Sequence, residues 1–270
     1  MQEIFQYKNI TIGTDPEFFI QNKDGKLISS IGIITGTKDI PNRLKHLGAG
    51  FAIQCDNVLG EFNVPHGYTA KEVANNIAIM KAYITGFLES RDLHPIYAAS
   101  AVYDNDQIQS DEAKEFGCSP DYNAWTNGVN QKPEGTSTNL RSAGMHQHIG
   151  YDNKSAKRSR DIIKALDVFV GVPSVIIDTD TKRRSLYGKA GCFRHTYFGC
   201  EYRTPSGFFL SNNKLTEWSF NQIFEAINYL NEFGIEEINN DGNWIVETIN
   251  SGDIKEAKKI VAKYKINLNY

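Results

Sequence analysis

The chain has 270 residues, of which 40% are hydrophobic and 23% charged, with 22 glycines and 8 prolines. This is an ordinary globular composition and excludes disordered, collagen-like and coiled-coil readings. A chain of this length buries roughly three quarters of its unfolded surface, so a core forms without disulfides. Lysine and arginine number 29 against 32 acidic residues, a formal charge of −3, and no basic excess exists to hold a nucleic-acid backbone.

Met1 to Tyr7 lacks the basic region and apolar run of a signal peptide, and nowhere do 18 apolar residues follow one another. The expectation is a cytoplasmic chain with no membrane partner. Cys55, Cys118, Cys192 and Cys200 are scattered without a C-x-x-C pair, which predicts reduced thiols and neither a zinc knuckle nor a disulfide framework. No repeat or low-complexity linker divides the sequence, and the one loop-rich stretch runs from about Asp104 to Arg141. One domain is expected over 1–270.

In chain order, Ile10 to Ile12 and Glu17 to Ile20 read as short β-runs. Lys23-Asp-Gly-Lys26 is a hairpin turn signal with a return strand over Leu27 to Ile31. Phe51 to Cys55 and Leu59 to Val64 flank a second turn at Asp56-Asn57. Thr69 and Glu72 form a capping box before Val73, Ile77, Met80, Ile84 and Phe87, which recur at helical steps as one buried stripe.

Ile96 to Tyr103 reads as a strand, and Arg141 to Tyr151 contains another. A helix begins at Ser155, with Ile162, Leu166, Phe169 and Val170 inward and Pro173 as its interruption. Tyr197 to Thr204 reads as a strand, followed by a helix over Leu215 to Phe233 and a final helix after the Asp253 cap. Early hairpins and later long helices predict an α+β fold, a largely antiparallel sheet with helices packed on one side.

No P-loop, strand-associated G-x-G-x-x-G, G-x-S-x-G elbow or H-E-x-x-H is present. Four polar pairs at spacing two stand out instead, because residues two apart on a strand share a face. They are Asp15 with Glu17, Glu61 with Asn63 beside Asp56, His146 with His148, and Glu201 with Arg203. Any one of them could be an ordinary solvated sheet face. Together, carboxylates and imidazoles followed by a cationic run from Lys182 through Arg184 and Lys189 to Arg194 are what a metal-bound polyphosphate requires. The glycines and apolar residues interleaved in that run suit a loop folded over a ligand.

These segments resemble a known family. Gly144-Met-His-Gln-His148 is similar to the Gly-Met-His-x-His signature of glutamine synthetases, and Glu201-x-Arg203 before Pro205 is similar to their late Glu-x-Arg. Gly13-Thr-Asp-Pro-Glu-Phe18, Asp56-Asn-Val-Leu-Gly-Glu-Phe-Asn63, Tyr187-Gly-Lys-Ala-Gly-Cys-Phe-Arg194 and Gly199-Cys-Glu-Tyr-Arg-Thr204 together resemble the phage-associated carboxylate–amine ligases. The motifs span 13–207, while the helical part over 213–266 carries none.

The resemblance implies a glutamine synthetase-like catalytic fold and an ATP-dependent amide synthesis through an acyl phosphate, on small-molecule or peptide carboxylates and amines, with magnesium or manganese. It implies metal ligands at Glu17, Asp56, Glu61, His146 and Glu201, and a phosphate contact at His148. Arg184, Lys189, Arg194 and Arg203 become phosphate or acyl-phosphate clamps, with Arg194, Arg203 and Glu201 the catalytic set. Two departures from glutamine synthetases are visible: Asp15-x-Glu17 replaces their Glu-x-Glu, and Asp56 and Glu61 stand closer together. A zinc or iron enzyme on His146, His148 and Glu201, or a non-catalytic metal- or nucleotide-binding module, are the alternatives. The substrates and the oligomeric state stay open.

Overall fold

The computed structural model of the protein describes residues 6–114, 121–130 and 139–270. The first elements are β1 (Thr11–Asn22), β2 (Leu27–Ile28), β3 (Asn42–Arg43), β4 (Ala52–Asp56), β5 (Leu59–Asn63) and α1 (Ala70–Glu89). Next come β6 (Leu93–Ile96), β7 (Ser100–Val102), α2 (Asp111–Lys114), β8 (Tyr122–Asn123), β9 (Leu140–Ser142) and β10 (Met145–Gly150). The remaining chain forms α3 (Ala156–Leu166), α4 (Val172–Ile177), α5 (Lys182–Leu186), β11 (Cys192–His195), β12 (Gly199–Tyr202), α6 (Asn213–Phe233), α7 (Glu236–Asn240), α8 (Gly242–Ser251) and α9 (Ile254–Lys263).

Among the described residues, ten strands form one sheet whose main path is β3-β4-β5-β1-β10-β12-β11-β8, with β2 and β6 also paired to β1. Every pairing is antiparallel. β7 and β9 form a separate pair. The α+β class expected from the sequence is the one observed.

β1 is the centre of the sheet, one continuous strand where the sequence suggests two runs. Pro16 lies within it without breaking it. The amide of Glu17 reaches the carbonyl of Gly144. Neighbouring strand amides point to opposite edges, so the donor that Pro16 lacks belongs to the other edge, where β5 pairing begins only at Glu17. At the first hairpin, Gly25 adopts φ 82° and its amide closes on the Asn22 carbonyl at 3.1 Å, a conformation glycine enters at little steric cost.

Even-numbered residues of β1 face the helical layer: Ile12, Thr14 and Phe18 are buried there, as are Ile149 and Tyr202 on β10 and β12. α1 packs on β1, and α3 on β11 and β12. Gln147 Nε2 donates to the Ser219 carbonyl of α6 at 3.2 Å, tying sheet to helix. Where β1 crosses β5, Phe18 opposes Gly60. A β-carbon on Gly60 would stand 2.2 Å from the Phe18 ring, so only glycine lets the ring lie flat on the sheet.

The capping box at Thr69 forms as expected, with both reciprocal bonds. Val73, Ile77, Met80 and Ile84 are buried, but Leu88 rather than Phe87 fills the last inward position. Phe87 lies half-buried against Tyr83, with the Arg91 guanidinium over its ring.

Three boundaries differ from the sequence reading. The expected strand over 96–103 is split into β6 and β7, which pair with different partners. The run 182–194 contains α5 and β11 as well as loop. Pro173 does not end its helix. Residues Asp167–Gly171 form one wide turn in which the Val172 amide reaches back five residues to the Asp167 carbonyl. Pro173 then stands in the first turn of α4, where a missing N–H is tolerated.

Cys55, Cys192 and Cys200 are free thiols, and Cys118 lies outside the described residues, as does part of the 104–141 stretch. No helix among the described residues is long and apolar enough to cross a membrane.

Candidate active site

The face of the sheet opposite the helices carries the polar pairs. On β1 the odd-numbered residues Gly13, Asp15 and Glu17 point to it, and the antiparallel register sets Gly13 against His148 and Asp15 against His146. His148 in turn opposes Glu201 on β12, and Glu201 opposes Arg194 on β11. Glu17 opposes Glu61 on β5. Four pairs separated by up to 186 positions in sequence thereby share one surface.

Their polar atoms form two neighbouring triads. Ligand atoms of Glu17, Asp56 and Glu61 lie within 4.8 Å of one another, and so do those of Asp15, His148 and Glu201. His146 adjoins the second triad, with Nδ1 3.3 Å from Asp15 Oδ1 and 3.5 Å from Glu201 Oε1. His148 Nε2 is 3.3 Å from the same Asp15 oxygen. Asp15, which the sequence reading left outside the metal set, and His148, which it gave to phosphate, are thus both part of this cluster.

Local geometry fixes several of these groups. The Gly144 amide donates to Glu17 Oε2 at 2.7 Å, and a β-carbon on Gly144 would meet His146 Nε2 at 2.5 Å. Glycine at 144 therefore both orients Glu17 and clears space for the imidazole. Gln54 Nε2 donates to Glu61 Oε1 at 2.9 Å, and Lys38 Nζ approaches Asp56 Oδ2 at 3.5 Å. Neither Gln54 nor Lys38 carried a signal in the sequence.

The electrostatics of the two triads differ. Burial pushes the Glu61 carboxyl well above the ordinary range, and the neighbouring Asp15, Asp56 and Glu17 push it the same way. Glu17 is also raised, first by burial. In the second triad, burial would raise Asp15, but His148 and the imidazole hydrogen bonds hold it well below its usual value. His148 is raised in return: burial opposes its charge, and Asp15 outweighs burial. The all-carboxylate triad is a concentration of like charge that a divalent cation would relieve, and the mixed triad is already partly neutralised.

A cleft of about 600 Å³, open solvent included, opens at Glu17, Asp56 and His146. Its walls include Glu17, Asp56, His146, Arg203, Arg183 and Asp121. Arg203 ion-pairs through Nη1 with Glu201 Oε1 and through Nε with Asp121 Oδ1 at 2.9 Å. Arg194 stands beside both, with Nη1 4.0 Å from Glu201 Oε1. Asp121 lies in the stretch where no motif guided the sequence reading, and it is the main site residue missed there.

The expected cationic clamps divide. Arg203 lines the cleft, and Arg194 stands behind it against Asp121 and Glu201. Arg184 is buried away from it, donating to the carbonyls of Ser174 at 3.0 Å, Asp180 at 3.2 Å and Asp178 at 3.4 Å. Its neighbour Arg183 lines the cleft instead and spends donors on the carbonyls of Thr204, Pro205 and Arg203. It thereby pins the chain that leaves β12. Lys189 has an exposed side chain, while its carbonyl accepts from Thr204 Oγ1. Neither Arg184 nor Lys189 is among the described residues that line the cleft.

Behind the sheet, one buried carboxylate supports this edge of the site. Asp167 accepts from Tyr202 Oη on one oxygen and from Trp125 Nε1 on the other, both at 2.7 Å. Burial raises its pKa to about 7, against the lowering effect of those two donors. Between about pH 4 and 7 the unfolded chain has lost this proton while the folded protein keeps it, so rising pH destabilises the fold. The contribution is on the order of 4 kcal/mol at most. Asp167→Asn should flatten the stability–pH curve over that interval in urea melts. An unchanged slope would assign the pH dependence to other groups.

Comparison with known proteins bears on the same segment. The family model described as Phage phiEco32-like COOH.NH2 ligase-type 2 matches residues 135–224. Among solved structures, "GmaS/ADP complex-Conformation 1" aligns with 12% identity over 96% of this chain and 71% of that one, with a TM-score of 0.44. "Apo GmaS without ligand" aligns with 14% identity over 96% and 70%, with a TM-score of 0.43. No curated protein matches. Over residues 135–224, which hold His146, His148, Arg194, Glu201 and Arg203, the chain is similar to the phage COOH.NH2 ligases that its motifs resemble.

Proposed function

We propose that the protein is an ATP-dependent carboxylate–amine ligase acting through an acyl phosphate. The observation that carries this reading is the pairing of two donor triads, Glu17/Asp56/Glu61 and Asp15/His148/Glu201, with Arg194 on the adjoining strand and Arg203 just past β12, both beside Glu201. Similarity to the COOH.NH2 ligases over 135–224 supports the reaction class.

The donor chemistry fits magnesium or manganese. One triad offers only carboxylates and the other two carboxylates and an imidazole, a hard set on which soft metals gain little. Such ions would neutralise charge on the phosphates of ATP. The residues do the rest by position. A carboxylate is inert toward amines at neutral pH, and taking the γ-phosphoryl group of ATP gives it a leaving group that an amine can displace.

Arg194 and Arg203, both beside Glu201, would meet the charge that develops on the transferred group. Their guanidinium forks suit phosphate oxygens better than an ammonium does. Small-molecule or peptide carboxylates and amines are the substrate classes.

Magnesium- or manganese-ATP should raise the melting temperature through binding, and metal-free ATP should do so far less. Equal stabilisation by metal-free ATP would contradict the ligand assignments. Stabilisation by zinc alone, unaffected by ATP, would favour the zinc-enzyme alternative.

A further inference from the structure

Arg194 stands on β11 and Arg203 directly follows β12, the strand paired with it, and both guanidiniums meet Glu201. Two guanidiniums so close repel each other, and each side chain has many rotamers to choose from. Glu201 holds Nη1 of Arg203 and stands 4.0 Å from Nη1 of Arg194. A second carboxylate meets them from the other side. Asp121 Oδ1 lies 2.9 Å from Nε of Arg203 and 3.6 Å from Nε of Arg194. These three side chains are 11%, 7% and 21% exposed respectively. The Arg203 guanidinium is thus met by carboxylates at both Nε and Nη1, the Asp121 contact being an ion pair with no hydrogen bond to its Oδ1.

Asp121 is itself held in place. Its carbonyl accepts from the Asn130 amide at 2.7 Å. β8, the two residues that follow it, pairs with Cys192 and Phe193 of β11. Trp125 anchors the same hairpin to Asp167, which also holds Tyr202. The hairpin is therefore tied to β11, which carries Arg194, and through Asp167 to Tyr202, the residue before Arg203.

We propose that Asp121 is a positioning residue whose carboxylate sets the orientation of Arg194 and Arg203 toward the transferred phosphoryl group. This rests on the ligase reading above. The test uses the full chain with Asp121→Asn and Asp121→Glu. It reads three quantities: the arginine Nε–Hε resonances in metal-free protein, magnesium-ATP affinity by calorimetry, and carboxylate-dependent phosphate release.

Asp121→Asn should shift or broaden the Nε resonances of both arginines. It should lower kcat on the order of thirtyfold, with KM for ATP and ATP affinity changed by about threefold or less. Asp121→Glu keeps the charge one methylene out of place and should fall between, about tenfold below wild type. If Asp121→Asn fails to fold, Asp121→Glu carries the same test, and wild-type kcat in it overturns the proposal.

Tighter ATP binding with undiminished kcat in Asp121→Asn would instead make Asp121 a competitor for the phosphate's place and overturn positioning. Unchanged Nε resonances would overturn it whether or not turnover is observed. Absence of phosphate release in the wild type, with the resonances shifted as expected, would sink the ligase reading and the kinetic role with it, and leave only the ion pair.

Discussion

Glu61→Gln is expected to make the metal-free protein more heat-stable and at the same time to remove most of its response to manganese. Glu61 is 3% exposed and shares its triad with two further carboxylates. A buried cluster of like charges costs stability unless a cation or a proton joins it. Glutamine is nearly isosteric and keeps the acceptor that takes the Gln54 amide bond. It cannot ionise. A gain of about 1–3 kcal/mol, several degrees in melting temperature, is expected without metal. The triad then loses one of three anionic ligands, and affinity should fall on the order of a hundredfold. Scanning calorimetry with and without manganese reads both signs. A lower melting temperature with the manganese response intact would make Glu61 a structural carboxylate.

The second large effect separates holding from reacting. Glu201 is buried, and it contacts Arg203, His146 and Arg194. Glu201→Ala leaves Arg203, itself buried, with one anionic neighbour fewer, and removing one member of a buried ion pair costs about 3–5 kcal/mol. Metal-ATP binding and turnover should be lost together. Arg194→Lys keeps the charge but gives up the planar fork, so the rate should fall on the order of a hundredfold while ATP affinity changes far less. Calorimetric ATP binding and phosphate release, measured on each variant, separate the two patterns. Full activity in Arg194→Lys would remove Arg194 from the reaction.

Much of this site is legible in the sequence because strands have a period of two. Asp15 with Glu17, His146 with His148, and Glu201 with Arg203 each declare a shared face. The pattern does not say which strands become neighbours. β1 lies between β5 and β10, and that order alone decides that Glu17 joins Asp56 and Glu61 while Asp15 joins His148 and Glu201. The pattern accordingly leaves Asp15 outside the metal set and joins His148 to Glu201 as a ligand only in the zinc or iron alternative.

Other misses have equally specific causes. Arg183 and Arg184 are adjacent and chemically alike, so only the turn of α5 sends one to the cleft wall and the other to carbonyls in and just after α4. Asp121 directly precedes a two-residue strand too short to carry periodicity. Pro173 reads as a helix stop because the wide turn at 167–171 has no sequence signal of its own.

The central claim is that the carboxylate takes a phosphoryl group from ATP before the amine attacks. Oxygen-18 in the carboxylates of a broad substrate pool tests it directly, because an acyl phosphate keeps one carboxylate oxygen as its bridge to phosphorus. When the amine displaces phosphate, that oxygen leaves with it. With magnesium-ATP, the mass spectrum of the released inorganic phosphate should show one oxygen-18 per molecule wherever amide is formed. Unlabelled phosphate alongside amide formation, or label in AMP instead, would contradict the account.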